Sequence, residues 1–462
     1  MELGSNQGIG SPRLAKEVFR KAKPDESRVV AYNLLSQVNR EGAFANIRLP
    51  ALLADSHLDE RDRAFTTELS YGTLRMQGKY DYVIRKKIDR PFEELDAAVV
   101  DILRIGLHQI LEMRVPDHAA VDATVELARF VCGEGKASFI NAILRAALRE
   151  PIDFADLTDL SVQYSHPQWI IDSFRDQLKD EERLVELLTA HNTPVAPHLV
   201  AWPGKSTPAE LLAEGGEKFL ENDYAVRASK MPGLYQAVHE RRAGVQDLGS
   251  QLVSEIFFNT AHDADYLHWL DMCAGPGGKA AMLSNLLKVH RLKDNFTANE
   301  PTPHRAELVS HVIPANEVIS HRGEDLVDLP TRYDRILIDA PCSGLGALRR
   351  RPESRWRKNL TDLKNLVSLQ RDLLDAGVKI LNPGGLIGYV TCSPHRSETG
   401  AQVADFLYRH KEFSLISLEP YIPESARAMG ILRDDGTIQM WSDIHGTDSM
   451  FMALFARRSE VI

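Results

Sequence analysis

Hydrophobic residues recur at helical spacing through the first third of the chain. Val29, Leu34, Leu35 and Val38 share one face, and Val99, Ile102, Leu103, Leu107 and Ile110 share another. Val121, Val125, Leu127 and Ala128 continue the pattern less strictly, followed by Phe139, Ile140, Ile143, Leu144 and Leu148. A period near 3.6 with little strict alternation predicts amphipathic helices. Residues 28–150 therefore read as an all-helical domain, behind a polar tail over 1–27 that is expected to be mobile. Residues 151–244 read as a small α+β linker domain. Trp169, Ile170, Phe174 and Leu178 predict one helix there and Glu182 to Leu188 a second, while Pro194, Pro197 and Pro203 punctuate a short β-rich stretch around His198 to Trp202. From 245 to 462 the pattern alternates between strand and helix. Tyr266 to Met272 is an apolar strand, followed by a glycine-rich turn and a helix from Ala280. Phe296 to Asn299, Arg335 to Ile338 and Leu386 to Val390 are further strands. Such alternation predicts an α/β domain with a largely parallel sheet and helices on both faces. Ligands on such sheets lie beyond the carboxyl ends of strands at the topological switch, and the chemically suggestive residues fall there.

Composition narrows the class. Of 462 residues, 44% are hydrophobic and 26% charged, a globular balance whose length suggests about three domains. No run approaches the roughly 20 apolar residues of a membrane span, and Met1 to Pro12 lack the apolar segment of a signal peptide. The cysteines, Cys132, Cys273, Cys342 and Cys392, form no Cys-x-x-Cys pair, and no histidine cluster has ligand spacing. The chain thus reads as cytoplasmic, with reduced thiols, no metal and no membrane contact, and is expected to be a monomer. The net charge of −10 argues against coating nucleic acid through global charge. Locally, Arg349, Arg350, Arg351, Arg355, Arg357 and Lys358 surround a single acid, Glu353. A charge run is ordinarily a solvated face, but this one follows the Cys342 turn directly. Arginines bind phosphates and an aromatic ring stacks on a base, so Arg349, Arg350, Arg351, Arg355 and Trp356 are candidate nucleic-acid contacts.

Two loop types carry the candidate chemistry. Cys273, Ala274, Gly275, Pro276, Gly277, Gly278 and Lys279 follow a strand and open a helix. Glycines let backbone amides approach a ligand, and the helix N-terminus favours electron-rich groups. The dinucleotide and Walker spacings are both absent. Glu300 closes the next strand, where a carboxylate can accept from both ribose hydroxyls. The pair points to an adenosyl cofactor. Asp339-Ala340-Pro341-Cys342-Ser343-Gly344 and Thr391-Cys392-Ser393-Pro394 also leave strand ends. A single cysteine is usually a small buried hydrophobe, yet two in polar turns at a ligand edge suit nucleophilic chemistry. Carbon 5 of cytosine is too weak a nucleophile to attack a methylsulfonium directly. A thiolate adding at carbon 6 makes carbon 5 enamine-like. Asp339 could hydrogen-bond the ring nitrogen, a task that calls for a partly protonated carboxyl. The base must also be unstacked.

At these residues the chain resembles the NOL1/Nop2/Sun RNA cytosine-5 methyltransferases. Asp271 to Lys279, Asp339 to Gly344 and Thr391-Cys392-Ser393 carry the resemblance, which spans nearly the whole chain after the tail. The front end is similar to the NusB-like domain of bacterial small-subunit ribosomal RNA methyltransferases, through Leu69-Ser70-Tyr71-Gly72-Thr73-Leu74-Arg75 and the helical pattern. The resemblance implies a Rossmann-like S-adenosylmethionine-dependent methyltransferase domain behind a helical RNA-binding domain. It implies methylation of carbon 5 of a cytosine in ribosomal RNA, 16S in bacteria. It makes Cys392 the nucleophile and Cys342 the residue that helps release the methylated RNA. It gives Cys273 to Lys279 and Glu300 to the cofactor, with Asp339 beside it, and expects one further cofactor acid, Glu324 or Asp325. Gly275 stands where the common pattern has alanine, and Glu300 where it has aspartate. His198-Leu199-Val200-Ala201 replaces a Leu-Arg-Val-Asn stretch, which puts an RNA-contacting arginine in doubt. The Gln246-Asp247-Leu248-Gly249-Ser250-Gln251 signature is nearly intact. Two alternatives stay open. A DNA cytosine-5 methyltransferase would depend on Cys342 for its first covalent step, and an RNA-binding assembly factor would keep the fold without the activity.

Overall fold

The structure is a computed structural model that describes residues 22–219, 223–261 and 266–458. Of the tail expected over 1–27, residues 1–21 lie outside the described residues, and Glu26 already begins a helix. The chain divides into two units. Residues up to 41, 50–73 and 83–152 form one, and residues 42–49, 74–82 and those from 153 onward form the other.

The first unit is helical, as the spacing predicts. Its helices include Glu26–Glu41, Ala97–Leu111, Asp117–Cys132 and Glu134–Arg149. The outer ones bury one stripe: Val30, Leu34, Leu35 and Val38 on the first, and Ile140, Ile143, Leu144 and Ala147 on the last. Asp96 caps Ala97–Leu111 by accepting from Ala98 N, which satisfies one free amide of the first turn. That helix is buried on most sides, from Val99 to Gln109. Gly106 explains how neighbours approach it so closely: a methyl group there would sit 2.9 Å from Leu144 Cδ1 and 3.0 Å from Thr124 Cγ2.

The second unit begins with the helices Gln168–Leu178 and Glu181–Asn192, close to the two predicted ones. Four short strands follow: β1 (His198–Ala201), β2 (Glu217–Lys218), β3 (Ala225–Arg227) and β4 (Ala243–Val245). They form an antiparallel sheet in the order β2-β3-β1-β4. All four residues of β1 are buried. The position where the resemblance puts an arginine therefore holds Leu199, packed among Leu211, Val226 and Tyr235.

The remaining strands build one mixed sheet. They are β5 (His268–Asp271), β6 (Asn295–Asn299), β7 (Val318–Ile319), β8 (Tyr333–Asp339), β9 (Leu381–Thr391), β10 (Phe413–Ile416), β11 (Ile438–Gln439) and β12 (Phe451–Arg457). The order is β10-β12-β9-β8-β5-β6-β7, with β11 paired to β12. β7, β6, β5, β8 and β9 run parallel, and β12 and β10 are antiparallel additions at the β9 side. This is the Rossmann-like fold. Strand residues alternate between two cores: Trp269, Leu337 and Val390 face one, while Leu270, Ile336, Ile338 and Tyr389 face the other. Burial on both faces makes these strands apolar runs, which is why they were readable. No helix among the described residues is long and apolar enough to cross a membrane.

Candidate active site

The chain leaves β5 outward to β6 and β7, then returns to place β8 against the other side of β5. The carboxyl ends of β5 and β8 therefore flank the topological switch, where an open α/β sheet leaves a crevice. Every loop singled out in the sequence ends there or on the adjacent strands β6 and β9.

The glycine-rich loop joins β5 to the helix Gly278–His290. Gly277 has φ +115°, and a methyl group there would meet Val312 at 2.7 Å, so a glycine is required. Ala274 N donates to Asn299 O at 2.9 Å and carries the β5–β6 pairing into the loop. Glu300, at the end of β6, is 2% exposed. Its carboxylate accepts from Gly275 N at 3.1 Å and from Thr302 N at 3.0 Å, with Arg305 Nη2 at 3.4 Å. Asn299 was not anticipated. It donates to Met272 O and His321 O and accepts from His321 N, each at 3.0 Å, tying together the ends of β5 and β6 and the segment after β7. Of the two candidate acids on that segment, Glu324 is held by Arg322 at 2.8 Å and Asp325 is exposed.

Carboxylates crowd the cofactor side. Asp271 is fully buried, and one of its oxygens, Oδ2, has no hydrogen-bond partner. Burial, and then the neighbouring Asp339, push its pKa up to about 7. The Cys273 thiol is driven well above its usual value by burial and then by Asp271, Asp339 and Glu300, so it stays protonated. Lys279 Nζ donates to Asp339 Oδ2 at 2.8 Å. Burial opposes the Lys279 charge, yet the Asp339 carboxylate outweighs it and holds the ammonium above its usual range. Lys279 thus places an N–H donor beside the Asp339 carboxyl.

Asp339 closes β8 and Thr391 closes β9, which are paired in parallel register up to Asp339 and Val390. That pairing continues through Ala340 N to Val390 O at 2.9 Å and brings the two cysteine turns side by side. Cys342 Sγ and Cys392 Sγ are 3.3 Å apart, and both residues are half-buried. The two sulfurs lie within hydrogen-bond reach; the Cys342 thiol is raised well above the ordinary value, first by that hydrogen bond and then by burial, while the Cys392 thiol is lowered, first by the same bond and then by Arg351 and Lys279, against burial and Asp339. A thiolate is the nucleophilic form of cysteine, and this pair favours it at Cys392.

The arginine run is not the solvent-facing stripe that its charge suggests. Arg355 is fully buried; its guanidinium donates to Arg75 O, Ser165 O, His191 O and Asn192 Oδ1 at 2.9–3.3 Å. With its side chain fully enclosed and both terminal nitrogens bonded to the interior, it has no exposed face for RNA, which corrects its assignment as a contact. Trp356 is half-buried against Gly78, where a methyl group would meet its ring at 2.4 Å. Arg349 is 9% exposed. Arg350 pairs with Asp448, and both hold the loop before β12. Asp247 accepts from Gly249 N and Asp448 N and meets His198 Nδ1 at 3.2 Å. Despite complete burial, His198 and the Arg350 guanidinium keep its carboxyl well below the usual range. Arg351 is half-buried and near enough to Cys392 to lower its thiol.

Sequence reasoning missed the carboxylate that links the two cysteine turns. Glu398 is fully buried and accepts from Ser343 N at 2.7 Å, from Ser343 Oγ and from Gln370 Nε2 at 3.1 Å. A glutamate just before a helix, here Gly400–Arg409, looks like ordinary dipole matching, so no local signal marks it.

Comparison with known proteins follows the same division. Residues 259–456 match the family described as 16S rRNA methyltransferase RsmB/F, and residues 25–149 match the NusB family. A putative methyltransferase of Mycobacterium tuberculosis is 39% identical over 460 residues, covering 95% of this chain and 98% of that protein. The ribosomal RNA small subunit methyltransferase B of Xanthomonas campestris is 31% identical, covering 83% of this chain and 88% of its own. The probable methyltransferase of the same name in Bacillus subtilis is 29% identical over 94% of this chain and its own full length. The crystal structure of PH0851 superposes with a TM-score of 0.78 at 20% identity, over 94% of this chain and all of that one. NSun6 from Pyrococcus horikoshii gives 0.52 at 15% identity, over 64% of this chain and 99% of that one. At such identities these two structures speak for the fold.

Proposed function

This chain belongs to the 16S rRNA methyltransferase RsmB/F family, and we propose that it methylates carbon 5 of a cytosine in small-subunit ribosomal RNA through a covalent bond to Cys392. The observation that carries this reading is the 3.3 Å pairing of Cys342 and Cys392 beside the Lys279–Asp339 ion pair.

S-adenosylmethionine supplies an electrophilic methyl group. The residues fit it. Glu300 presents a carboxylate where ribose hydroxyls need acceptors, Cys273 to Lys279 form a loop with open backbone, and the unpartnered Asp271 Oδ2 offers an acceptor to a cationic group. Glu324 or Asp325 adds the remaining acid. Cys392 attacks carbon 6 of the flipped base, and the displaced π electrons make carbon 5 nucleophilic. Lys279 and Asp339 stand together at the end of β8 to hydrogen-bond the ring as charge builds on it. After carbon 5 takes the methyl group it loses its proton; the resulting electron pair reforms the 5,6 double bond and expels the Cys392 thiolate. Cys342, whose thiol lies within hydrogen-bond reach of Cys392, assists that release. Arg351, half-buried and close enough to Cys392 to act on its thiol, is the arginine of the run we assign to RNA contact, with Arg349, Arg350 and Trp356 as further candidates.

The test is methylation of naked small-subunit ribosomal RNA with labelled S-adenosylmethionine, followed by nucleoside analysis and a denaturing gel. Wild type should yield 5-methylcytidine, Cys392→Ala none, and Cys342→Ala a trapped protein–RNA adduct. Normal methylation by Cys392→Ala would sink the nucleophile assignment and pass it to Cys342.

A further inference from the structure

Two thiols 3.3 Å apart at the ends of neighbouring parallel strands are chemically equivalent until something breaks the symmetry. We infer that Glu398 is a positioning residue that breaks it: its buried carboxylate clamps the Cys342 turn and makes Cys342 the proton donor to Cys392. This rests on the reading of Cys392 as nucleophile, and it adds what assigns that role.

The clamp is built from both turns. Glu398 takes Ser343 N and Ser343 Oγ, immediately after Cys342, and Ser343 Oγ lies 3.0 Å from Ser393 Oγ, immediately after Cys392. Gln370 Nε2 bridges Glu398 Oε1 at 3.1 Å and Pro341 O at 2.9 Å, immediately before Cys342. Tyr389 OH donates to Glu398 O at 2.8 Å and to Gln370 Oε1 at 3.1 Å, fixing the glutamate's backbone. Burial followed by Glu398 keeps that phenol protonated, so it remains a donor. Glu398 has no cation among these partners. Inside a protein its charge therefore acts on what stands nearest, and carboxylates next to a thiol disfavour the thiolate.

The charges around the pair are unevenly shared. Cys342 faces Glu398 and Cys392, with Tyr389 beyond; Cys392 faces Cys342, Lys279, Arg351 and Arg350, with Asp339 as its opposing acid. Negative charge on the Cys342 side and positive charge on the Cys392 side make one proton distribution favourable. The same bonds hold the donor's sulfur within reach of the acceptor.

The full-length protein, without RNA or cofactor, is alkylated with iodoacetamide across pH 6 to 10, and mass spectrometry assigns each modified cysteine. Wild type should alkylate Cys392 first and at lower pH than Cys342. Glu398→Gln, checked for folding by its melting transition, should reduce that preference by about tenfold or more, the equivalent of a shift of one pKa unit. Ser343→Ala removes both hydroxyl contacts of the clamp, to Glu398 and to Ser393, but leaves the Ser343 N bond and the charge, and should keep Cys392 ahead. Wild-type alkylation led by Cys342, an unchanged preference in folded Glu398→Gln, or a lost preference in Ser343→Ala would each overturn the inference. Because no methyl transfer is measured, a wrong RNA substrate leaves this result intact. Methylation by Cys392→Ala would refute the nucleophile without altering the alkylation order.

Discussion

Replacing Gly275 with alanine sets a methyl carbon 2.1 Å from Glu300 Oε2, 2.8 Å from Glu300 Cδ and 2.9 Å from Arg305 Nη2. Non-bonded carbon contacts settle near 3.5 Å, so the carboxylate must retreat by more than about 1 Å. It has little room: Glu300 is 2% exposed, and its oxygens are held by Gly275 N and Thr302 N. Losing one charge-assisted bond of this kind costs roughly 1.5–3 kcal/mol. If Glu300 holds the cofactor, that appears as roughly 10- to 100-fold weaker binding of S-adenosylmethionine. The related pattern with alanine here carries aspartate at the Glu300 position. Aspartate draws the carboxylate back by one carbon–carbon bond, about 1.5 Å, which is the space the methyl group needs. The two departures therefore compensate each other. Glu300→Asp alone should also bind weakly, because the shortened side chain falls away from Gly275 N, while Gly275→Ala/Glu300→Asp should recover to within about threefold of wild type. Neighbours that share a contact commonly couple by about 0.5–3 kcal/mol. Isothermal titration with S-adenosylmethionine on all four proteins measures this, with melting temperatures as the control for folding. Wild-type affinity in Gly275→Ala, or a double variant no better than the weaker single, would refute the reasoning.

Arg355→Met should lower stability by about 3 kcal/mol or more, read from urea unfolding, because four buried acceptors lose their donor at once. Unchanged stability together with lost RNA affinity would restore Arg355 as a contact. Asp271→Asn should stabilise the protein at pH 8 and leave it nearly unchanged at pH 4. The folded pKa of about 7 lies above the unfolded value, so between about pH 4 and 7 the folded chain holds the extra proton and stability falls as pH rises. Equal effects at both pH values would argue against that shift. Gly346→Ala puts a methyl group 2.2 Å from Ser449 O and 2.9 Å from Cys392 O. Two backbones must then part, so we expect a loss of about 2 kcal/mol or more and impaired methylation; a melting temperature equal to wild type would contradict this close approach.

What could be read from the sequence followed from local physics. Helices of the first unit such as Glu26–Glu41 and Glu134–Arg149 announce themselves because they bury one stripe, and the central strands because both of their faces are apolar. The glycine loop and the two cysteine turns stand out because strand ends seldom combine Gly, Pro, Asp and Cys. Long-range pairing was hidden. β12 pairs antiparallel with β9, from Phe451 against Thr391 to Ala456 against Leu386, and nothing in Phe451–Arg457 names that distant partner. The long helix Leu360–Ile380 and the strand β10 were likewise not assigned. The arginine run misled for the same reason. Charge is local, but burial depends on acceptors elsewhere, and those of Arg355 lie 163 to 280 residues away. Gly275 and Glu300 were each visible as departures, yet their contact belongs to two strands.

Three of the cysteines illustrate how the surroundings, more than the residue type, set chemistry. Cys273, Cys342 and Cys392 all leave the carboxyl ends of parallel strands in one sheet. Cys273 is enclosed by Asp271, Asp339 and Glu300 and is held as an inert thiol. Cys342, hydrogen-bonded to Cys392, buried and close to Glu398, is held well above its usual value. Cys392 has two cationic neighbours, Lys279 and Arg351, together with the hydrogen bond to Cys342, and of the three is the one shifted toward the thiolate. Three acids, Asp271, Asp339 and Glu300, act on Cys273, whereas two cations, Lys279 and Arg351, act on Cys392. A net charge of −10 conceals this division. The division favours Cys392 as nucleophile independently of any family resemblance, because the same ordering follows from the charges that surround each sulfur.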